Sequence, residues 1–166
     1  YKTDMFRLKI LLFFVICVSF SSCSKEPINK STIKEKSLEL QVQEAYNEGM
    51  DSLEGGDVLF AAKKFNEAEM LFPQAKSAPQ SALMAAYSYY TQDYYGDAIA
   101  ELERFLKVYP THKDLVYAYY LLAVCYYEQI VDEKKDLGEI TKAKKNFNII
   151  LRDHSNTEYA IDAEFK

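Results

Sequence analysis

Tryptophan is absent from the 166-residue sequence, and glycine and proline are scarce, at five and four residues. A chain so poor in turn formers cannot build the many short links of a β-rich fold, which leaves a helical architecture. Histidine occurs twice, at His112 and His154, each just past a predicted helix and at a spacing that matches no metal motif. Turn or capping roles are expected of both. There is no phosphate-cradling glycine loop, no nucleophile elbow and no His-Glu-x-x-His, so no catalytic residue, metal ligand or cofactor is assigned. Positive charge is also short: 20 Lys and Arg face 25 Asp and Glu, a formal net charge of −5. That balance argues against nucleic acid as a partner, because phosphates demand a basic face. What the chain does have is 49% hydrophobic residues, including 14 Tyr and 10 Phe. So many aromatics with one polar tip fit a groove or a wet helix interface.

The N-terminus reads as a targeting segment. Met5 is the expected natural start; Arg7 and Lys9 follow, then an apolar run from Ile10 to Phe20, then Ser21-Ser22-Cys23. The run falls short of the about 20 apolar residues that a membrane-spanning helix needs, and the order is that of a secretory signal over 1–22. Phe20-Ser21-Ser22-Cys23 resembles the bacterial lipobox, with Phe20 where Leu is usual. Cys23 is then the acylated first residue of the mature chain, and Ser24 after it resembles the outer-membrane sorting signal. Buried acyl chains, at about 0.8 kcal/mol per methylene, hold such a protein on a membrane. Removing Lys2, Arg7 and Lys9 together with Asp4 takes the net charge from −5 to −7. With Cys17 cleaved and Cys23 acylated, Cys125 is left without a disulfide partner, in an apolar stretch where it reads as a buried small hydrophobe. Residues 23–36 are polar and aperiodic, and are expected to be a lipidated tether.

From residue 37 onward the sequence repeats. Gly49, Ala86 and Ala123 are 37 apart, as are Ala61 and Ala98, and Pro73 and Pro110. Gly56-Asp57 through Ala61 to Phe65 answers to Gln92-Asp93 through Ala98 to Leu102. A small residue midway along a first helix lets a second helix approach, another small residue meets it, and a large one four positions on fills the adjoining space. Proline then ends the hairpin. Such hairpins cannot bury their own apolar faces and stack on neighbours, the tetratricopeptide pattern. The expected fold is all-α, a right-handed superhelical solenoid. Its repeats fall at about 38–74, 75–111 and 112–155, with a fourth beginning at 156–166. Helices are predicted near 37–54, 57–71, 77–91, 94–108, 113–130 and 139–152. In the third copy the small residue of the second helix is Ala143, 45 rather than 37 beyond Ala98. Eight extra residues therefore enter the turn within 130–138. The array stops mid-hairpin without a polar cap, which reads as truncation.

The aromatics nominate a surface. Stacked hairpins line their concave side with first-helix residues, where tyrosine offers area and a hydroxyl to an extended peptide. Tyr46, Tyr87, Tyr90, Tyr94, Tyr119 and Tyr120 are the candidate groove residues; more than half of all the tyrosines are expected to pack in the core.

Several segments together resemble the BamD lipoprotein family. They are the lipobox and tether, the Gly56-Asp57 to Phe65 segment, Tyr109-Pro110-Thr111-His112-Lys113-Asp114, Ala118-Tyr119-Tyr120-Leu121-Leu122-Ala123, Tyr126-Tyr127-Glu128-Gln129-Ile130, the long Asp-rich turn, and Asn156-Thr157-Glu158-Tyr159-Ala160 with Asp162-Ala163. The resemblance covers nearly all of residues 5–166. It departs at Phe20 and at His154, where the family commonly has Tyr before Pro. It implies a periplasmic, lipid-anchored scaffold subunit of the outer-membrane β-barrel assembly machine, with about five repeats in the whole protein. The N-terminal repeats resemble the part that receives unfolded outer-membrane proteins through a C-terminal signal. Later repeats resemble the part that docks the barrel subunit BamA, alongside other subunits of the machine. Two other readings stay open at this point. One is another periplasmic tetratricopeptide lipoprotein, coordinating envelope or peptidoglycan synthesis; the other is a domain of an envelope enzyme, for which the sequence supplies no active-site candidates.

Overall fold

Seven helices follow one another along the chain in the computed structural model, which describes residues 36–130 and 137–166. They are α1 (Leu38–Glu54), α2 (Val58–Leu71), α3 (Ala78–Tyr90), α4 (Tyr95–Val108), α5 (Leu115–Glu128), α6 (Leu137–Asp153) and α7 (Glu158–Phe165). No strand occurs among the described residues. The predicted signal over 1–22, Cys23, the tether as far as residue 35 and most of the extended third-copy turn lie outside the described residues.

Local chemistry sets the helix starts. The Ser37 hydroxyl accepts from the Leu40 amide at 3.3 Å, Asp57 Oδ1 from Phe60 at 3.1 Å, and Thr157 Oγ1 from Ala160 at 3.3 Å. Each satisfies an amide that the first turn leaves unpaired. Pro79 sits in the first turn of α3, where its missing N–H costs nothing. The α1–α2 and α3–α4 links each carry one left-handed residue. Gly56 supplies it with φ of 83°, and Asp93 with φ of 62°. These two are 37 apart, so Asp93, rather than Gln92, stands where Gly56 stands. An aspartate tolerates this region better than most side chains, and Asp93 Oδ1 accepts from the Tyr95 hydroxyl at 2.7 Å. Gln92 instead ties the two links together, its Nε2 donating to the Gly56 carbonyl at 2.9 Å.

Each helix packs on the next in the chain, and α5 also touches α3 and α7. The small and large positions of the repeat meet as their spacing requires. Gly49, Ala61, Ala86, Ala98 and Ala123 are buried at the crossings, with Phe65 and Leu102 fully enclosed beside them. Ala143 and Phe147 take the same places in the third copy. The core grows along the chain. Around the first hairpin it is two small groups, Val42, Ala45 and Ala68 and then Ala61, Ala62, Phe65 and Ala85, whereas one cluster runs from Ala82 to Ala163. In α5 six consecutive residues, Leu121 to Tyr126, are buried, as expected of a helix packed on all sides.

Gly49 shows how tight the first crossing is. A Cβ there would lie 2.9 Å from two ring carbons of Phe65, and that ring has no room to retreat. Gly49→Val is therefore expected to destabilise the chain by about 2 kcal/mol through overpacking. Urea unfolding should show a lower midpoint at unchanged slope. Adding Phe65→Leu should recover part of the loss, and no recovery would mean that the two positions do not oppose each other.

Candidate functional site

Two features lie on the first helices of the hairpins. The first is a cleft of about 540 Å³ between α1 and α3, walled by Val42, Gln43 and Tyr46 on one side and Phe72, Gln80 and Ser81 on the other. Its shape descends from the tight crossing already described. Gly49 admits the Phe65 ring, and Tyr46 packs edge-on against that ring at 5.2 Å between centroids. Gln80 Nε2 donates to the Tyr46 hydroxyl at 3.4 Å across the cleft. Apolar walls with a few amide and hydroxyl groups suit an extended backbone: the area supplies affinity and the polar groups supply orientation.

The second is a series of tyrosine rings on α3, α5 and α7 that also takes in Tyr95, the first residue of the second helix α4. Tyr87 lies 6.4 Å from Tyr90, and Tyr90 lies 6.2 Å from Tyr95. Further along, Tyr159 meets Tyr117 at 5.8 Å and Tyr120 at 5.2 Å. The Tyr120 hydroxyl donates to Asp162. Burial raises the Tyr117 and Tyr120 hydroxyls above their ordinary range, with Asp162 adding to the rise at Tyr120. The bond to Asp93 pushes Tyr95 up to about 12. These hydroxyls stay protonated, and serve as donors and as surface rather than as nucleophiles. The Cys125 thiol, buried in α5, is likewise pushed up to about 12 by burial, far from the thiolate that reactivity requires.

Of the six tyrosines nominated from sequence, the structure brings Tyr87, Tyr90 and Tyr120 into the ring series and sets Tyr46 apart in the cleft. Tyr119 packs half-buried on the main core. Tyr94 is exposed as the residue before α4, beside Tyr95 but in none of the ring contacts. Sequence reasoning passed over Tyr95, Tyr117, Tyr159 and Asp162. Tyr117 is the third residue of α5 and Tyr159 the second of α7, so no common spacing marks them as a pair. His112 and His154 do sit in turns. The His112 ring takes a bond from the Asp114 amide at 3.3 Å, and the His154 carbonyl accepts the Thr157 hydroxyl at 2.8 Å. Among the described residues no group of His, Cys, Asp and Glu is arranged to hold a metal ion, and no helix is long and apolar enough to cross a membrane.

On the second helices a polar network joins the first two hairpins. Glu69, 5% exposed, receives Arg104 at both oxygens, at 2.9 and 2.6 Å, and the Tyr109 hydroxyl at 2.6 Å. Arg104 Nε also reaches Glu101 at 2.9 Å, and Asn66 donates to Glu101 at 2.8 Å. Bonding to Glu69 holds the guanidinium firmly in its charged form. A buried carboxylate is tolerated only when paired in this way.

An array of tetratricopeptide-like helical hairpins with a cleft and an aromatic face is a binding scaffold by class. Comparison with known proteins narrows this. The model of the outer membrane lipoprotein family YfiO matches residues 38–166, and the chain belongs to that family. An outer membrane protein assembly factor BamD from Caulobacter vibrioides is 32% identical over 152 residues, covering 92% of this chain and 49% of the relative. Its counterpart in Rickettsia prowazekii is 35% identical over 121 residues, covering 73% and 48%, and one in Neisseria meningitidis is 27% identical over 166, covering 93% and 61%. The chain thus spans about half the length of the first two of these curated relatives.

Removing Arg104 leaves Glu69 buried beside Tyr109 alone. Arg104→Met is expected to cost about 2 kcal/mol, below the usual range for breaking a buried pair because the guanidinium is partly in water. Glu69→Met in the same chain should restore most of it. A double variant as unstable as the single one, measured by thermal or urea unfolding, would contradict this account.

Proposed function

We propose that this chain is the receiving part of a lipid-anchored subunit of the outer-membrane β-barrel assembly machine, acting at the periplasmic face of the outer membrane. Unfolded β-barrel proteins are its clients, and BamA and the other machine subunits are its partners. The supporting observation is the cleft between α1 and α3, in a chain whose relatives are named outer membrane protein assembly factors. An unfolded barrel strand alternates apolar and polar side chains. Val42, Tyr46 and Phe72 accept the apolar ones, while Gln43 and Gln80 bond the backbone. Binding of this kind needs no proton transfer and no titrating group. Docking to BamA belongs to the later repeats that the longer relatives have room for. The segment before Ser37 divides into a signal over 1–22 and a tether beginning at Cys23.

Depletion in the native host tests this reading: outer-membrane barrels should fall, and unaltered barrel levels would overturn it. The complementing chain tests the cleft. Asn47→Trp fills the cleft from its exposed rim and should weaken capture of a C-terminal barrel peptide about five-fold or more, on the scale of an interface hot spot. Asn148→Trp, in the separate cleft beside Phe147, should leave capture unchanged.

The anchor has its own test. Cys23→Ser removes the acylated sulfur, and the chain should move from the outer-membrane fraction to the soluble periplasm. A Cys23→Ser chain still sedimenting with outer membrane would show that the anchor lies elsewhere.

A further inference from the structure

Charge is sorted between the two sets of helices. Every Lys and Arg within the described helices belongs to α2, α4 or α6, while α1, α3, α5 and α7 contain none. On α1 the imbalance is partly met inside the chain, Glu44 pairing with Lys36 and Glu48 with Lys64. Along the tyrosine rings of α3, α5 and α7 it is not. Asp93, Glu128, Glu158 and Asp162 stand exposed there, with no cation partner among the described residues. Asp93 and Glu128 act on the hydroxyls of Tyr90 and Tyr95, Glu158 on that of Tyr159, and Asp162 on that of Tyr120. The remaining cations outside the helices are engaged elsewhere. Lys113 pairs with Asp114 at 3.1 Å, Lys166 lies over the Tyr127 ring at 5.1 Å in the cleft beside Phe147, and Lys76 lines the cleft between α1 and α3.

Two of the unpaired carboxylates are held by a tyrosine. Asp93 Oδ1 accepts from the Tyr95 hydroxyl at 2.7 Å and Asp162 Oδ2 from that of Tyr120, and the other oxygen of each has no partner among the described residues. A third couple of this kind shows how one is completed. The Tyr126 hydroxyl donates to Glu103 at 2.7 Å, and Lys142 lies over the Tyr126 ring at 5.1 Å, so that α4, α5 and α6 are tied by ring, carboxylate and cation together. The ring quadrupole attracts the ammonium, and the carboxylate at the hydroxyl adds its charge. We infer that the tyrosine face of α3, α5 and α7 docks an extended polypeptide segment through its Arg or Lys side chains, which complete the Tyr95–Asp93 and Tyr120–Asp162 couples as Lys142 completes Tyr126–Glu103. Tyr90, 6.2 Å from Tyr95, gives the first seat a second ring with Glu128 beside it, and Tyr159, 5.2 Å from Tyr120, does the same for the second with Glu158. Arginine suits both seats best, because its flat guanidinium stacks on a ring while its edge bonds a carboxylate. In an extended segment alternate side chains share a face, so two cations can reach the two seats while the residues between them point away. The inference goes beyond the client reading of the cleft and does not depend on it.

The test measures binding of a short labelled peptide that alternates arginine and serine to the full chain, by fluorescence anisotropy in neutral detergent. The same peptide with citrulline, which keeps the shape of arginine without its charge, should bind at least about five-fold more weakly, and about 1 M salt should remove most of the difference. Glu128→Gln with Asp162→Asn should weaken the arginine peptide about five-fold or more. Glu54→Gln with Glu164→Gln removes the same charge from α1 and from a position two residues past Asp162, turned away from the rings, and should change binding little. Urea midpoints of both double variants should match the unaltered chain, so that a loss of binding is not a loss of fold. Equal binding of the citrulline peptide would overturn the proposal, as would equal weakening by the two double variants, which would mean that overall acidity attracts the peptide. Displacement of the peptide by an equal concentration of a free polyamine would also overturn it, since the face would then hold small cations rather than a polypeptide. Asn47→Trp should leave this peptide bound as before. Its loss in that variant would place the peptide in the cleft, overturning this inference while sparing the client reading.

Discussion

Two helices approach each other most closely where their crossing carries small side chains, and that constraint organises the molecule. Gly49 is its sharpest instance, since even one added carbon would meet the Phe65 ring. Ala86 and Ala123 repeat the position with a methyl group, and Ala61, Ala98 and Ala143 answer from the second helices. The large residue that fills the space beside each crossing does a second job in the first hairpin. Phe65, held by Gly49, is the floor on which Tyr46 packs, and Tyr46 is one wall of the cleft. The cleft is thus a by-product of how the hairpin closes, and a change to the crossing reaches it through the Phe65 ring.

Stacking one hairpin on the next draws on two kinds of interaction. Between the first two hairpins polar contacts are prominent: Glu69 with Arg104 and Tyr109, Asn66 with Glu101, Gln92 with Gly56, and Gln80 with Tyr46. The apolar core there is small, and directional bonds at both ends and in the middle fix how one hairpin sits on the other. Further along, the continuous cluster built round α5 does most of the holding, with Tyr126 to Glu103 and Tyr120 to Asp162 as polar ties. Polar bonds set angle and register more sharply than apolar area does. The cleft therefore sits where the relative placement of two hairpins is most strongly specified.

The helices were legible because their boundaries rest on local chemistry: the predicted span 57–71 became Val58–Leu71 and 94–108 became Tyr95–Val108. The small and large positions were legible because a 37-residue spacing survives any surface substitution. The link within the second hairpin was misread by one residue. Aspartate at position 93 follows Gln92 as Asp57 follows Gly56, yet only the backbone angle shows that Asp93 takes the glycine's place. The Glu69–Arg104 network was invisible, since a charged residue on a helix reads as solvent-facing until its partner, 35 residues away, is known to lie beside it. The tyrosines were half legible. Their abundance pointed to a surface, but which rings meet depends on inter-helix offsets that a linear sequence does not contain. Tyr94 and Tyr119 make none of these ring contacts, while Tyr117 and Tyr159, not among the candidates, do.

The protonation of the interior bears on what kind of work this surface does. Tyr109, Tyr117, Tyr120 and Tyr126 are all held neutral, chiefly by burial, and all but Tyr117 also by hydroxyl bonds to a carboxylate. Cys125 is held as a thiol in the same way. Each of these groups is committed to a structural bond or to packing, which leaves the exposed side chains of the first-helix face to meet a partner by shape and hydrogen bonding. A surface of that kind tolerates many sequences, because area and backbone bonds are common to all extended chains. Tolerance is the property that the proposed receiving role requires, and a titrating or covalent site would narrow it.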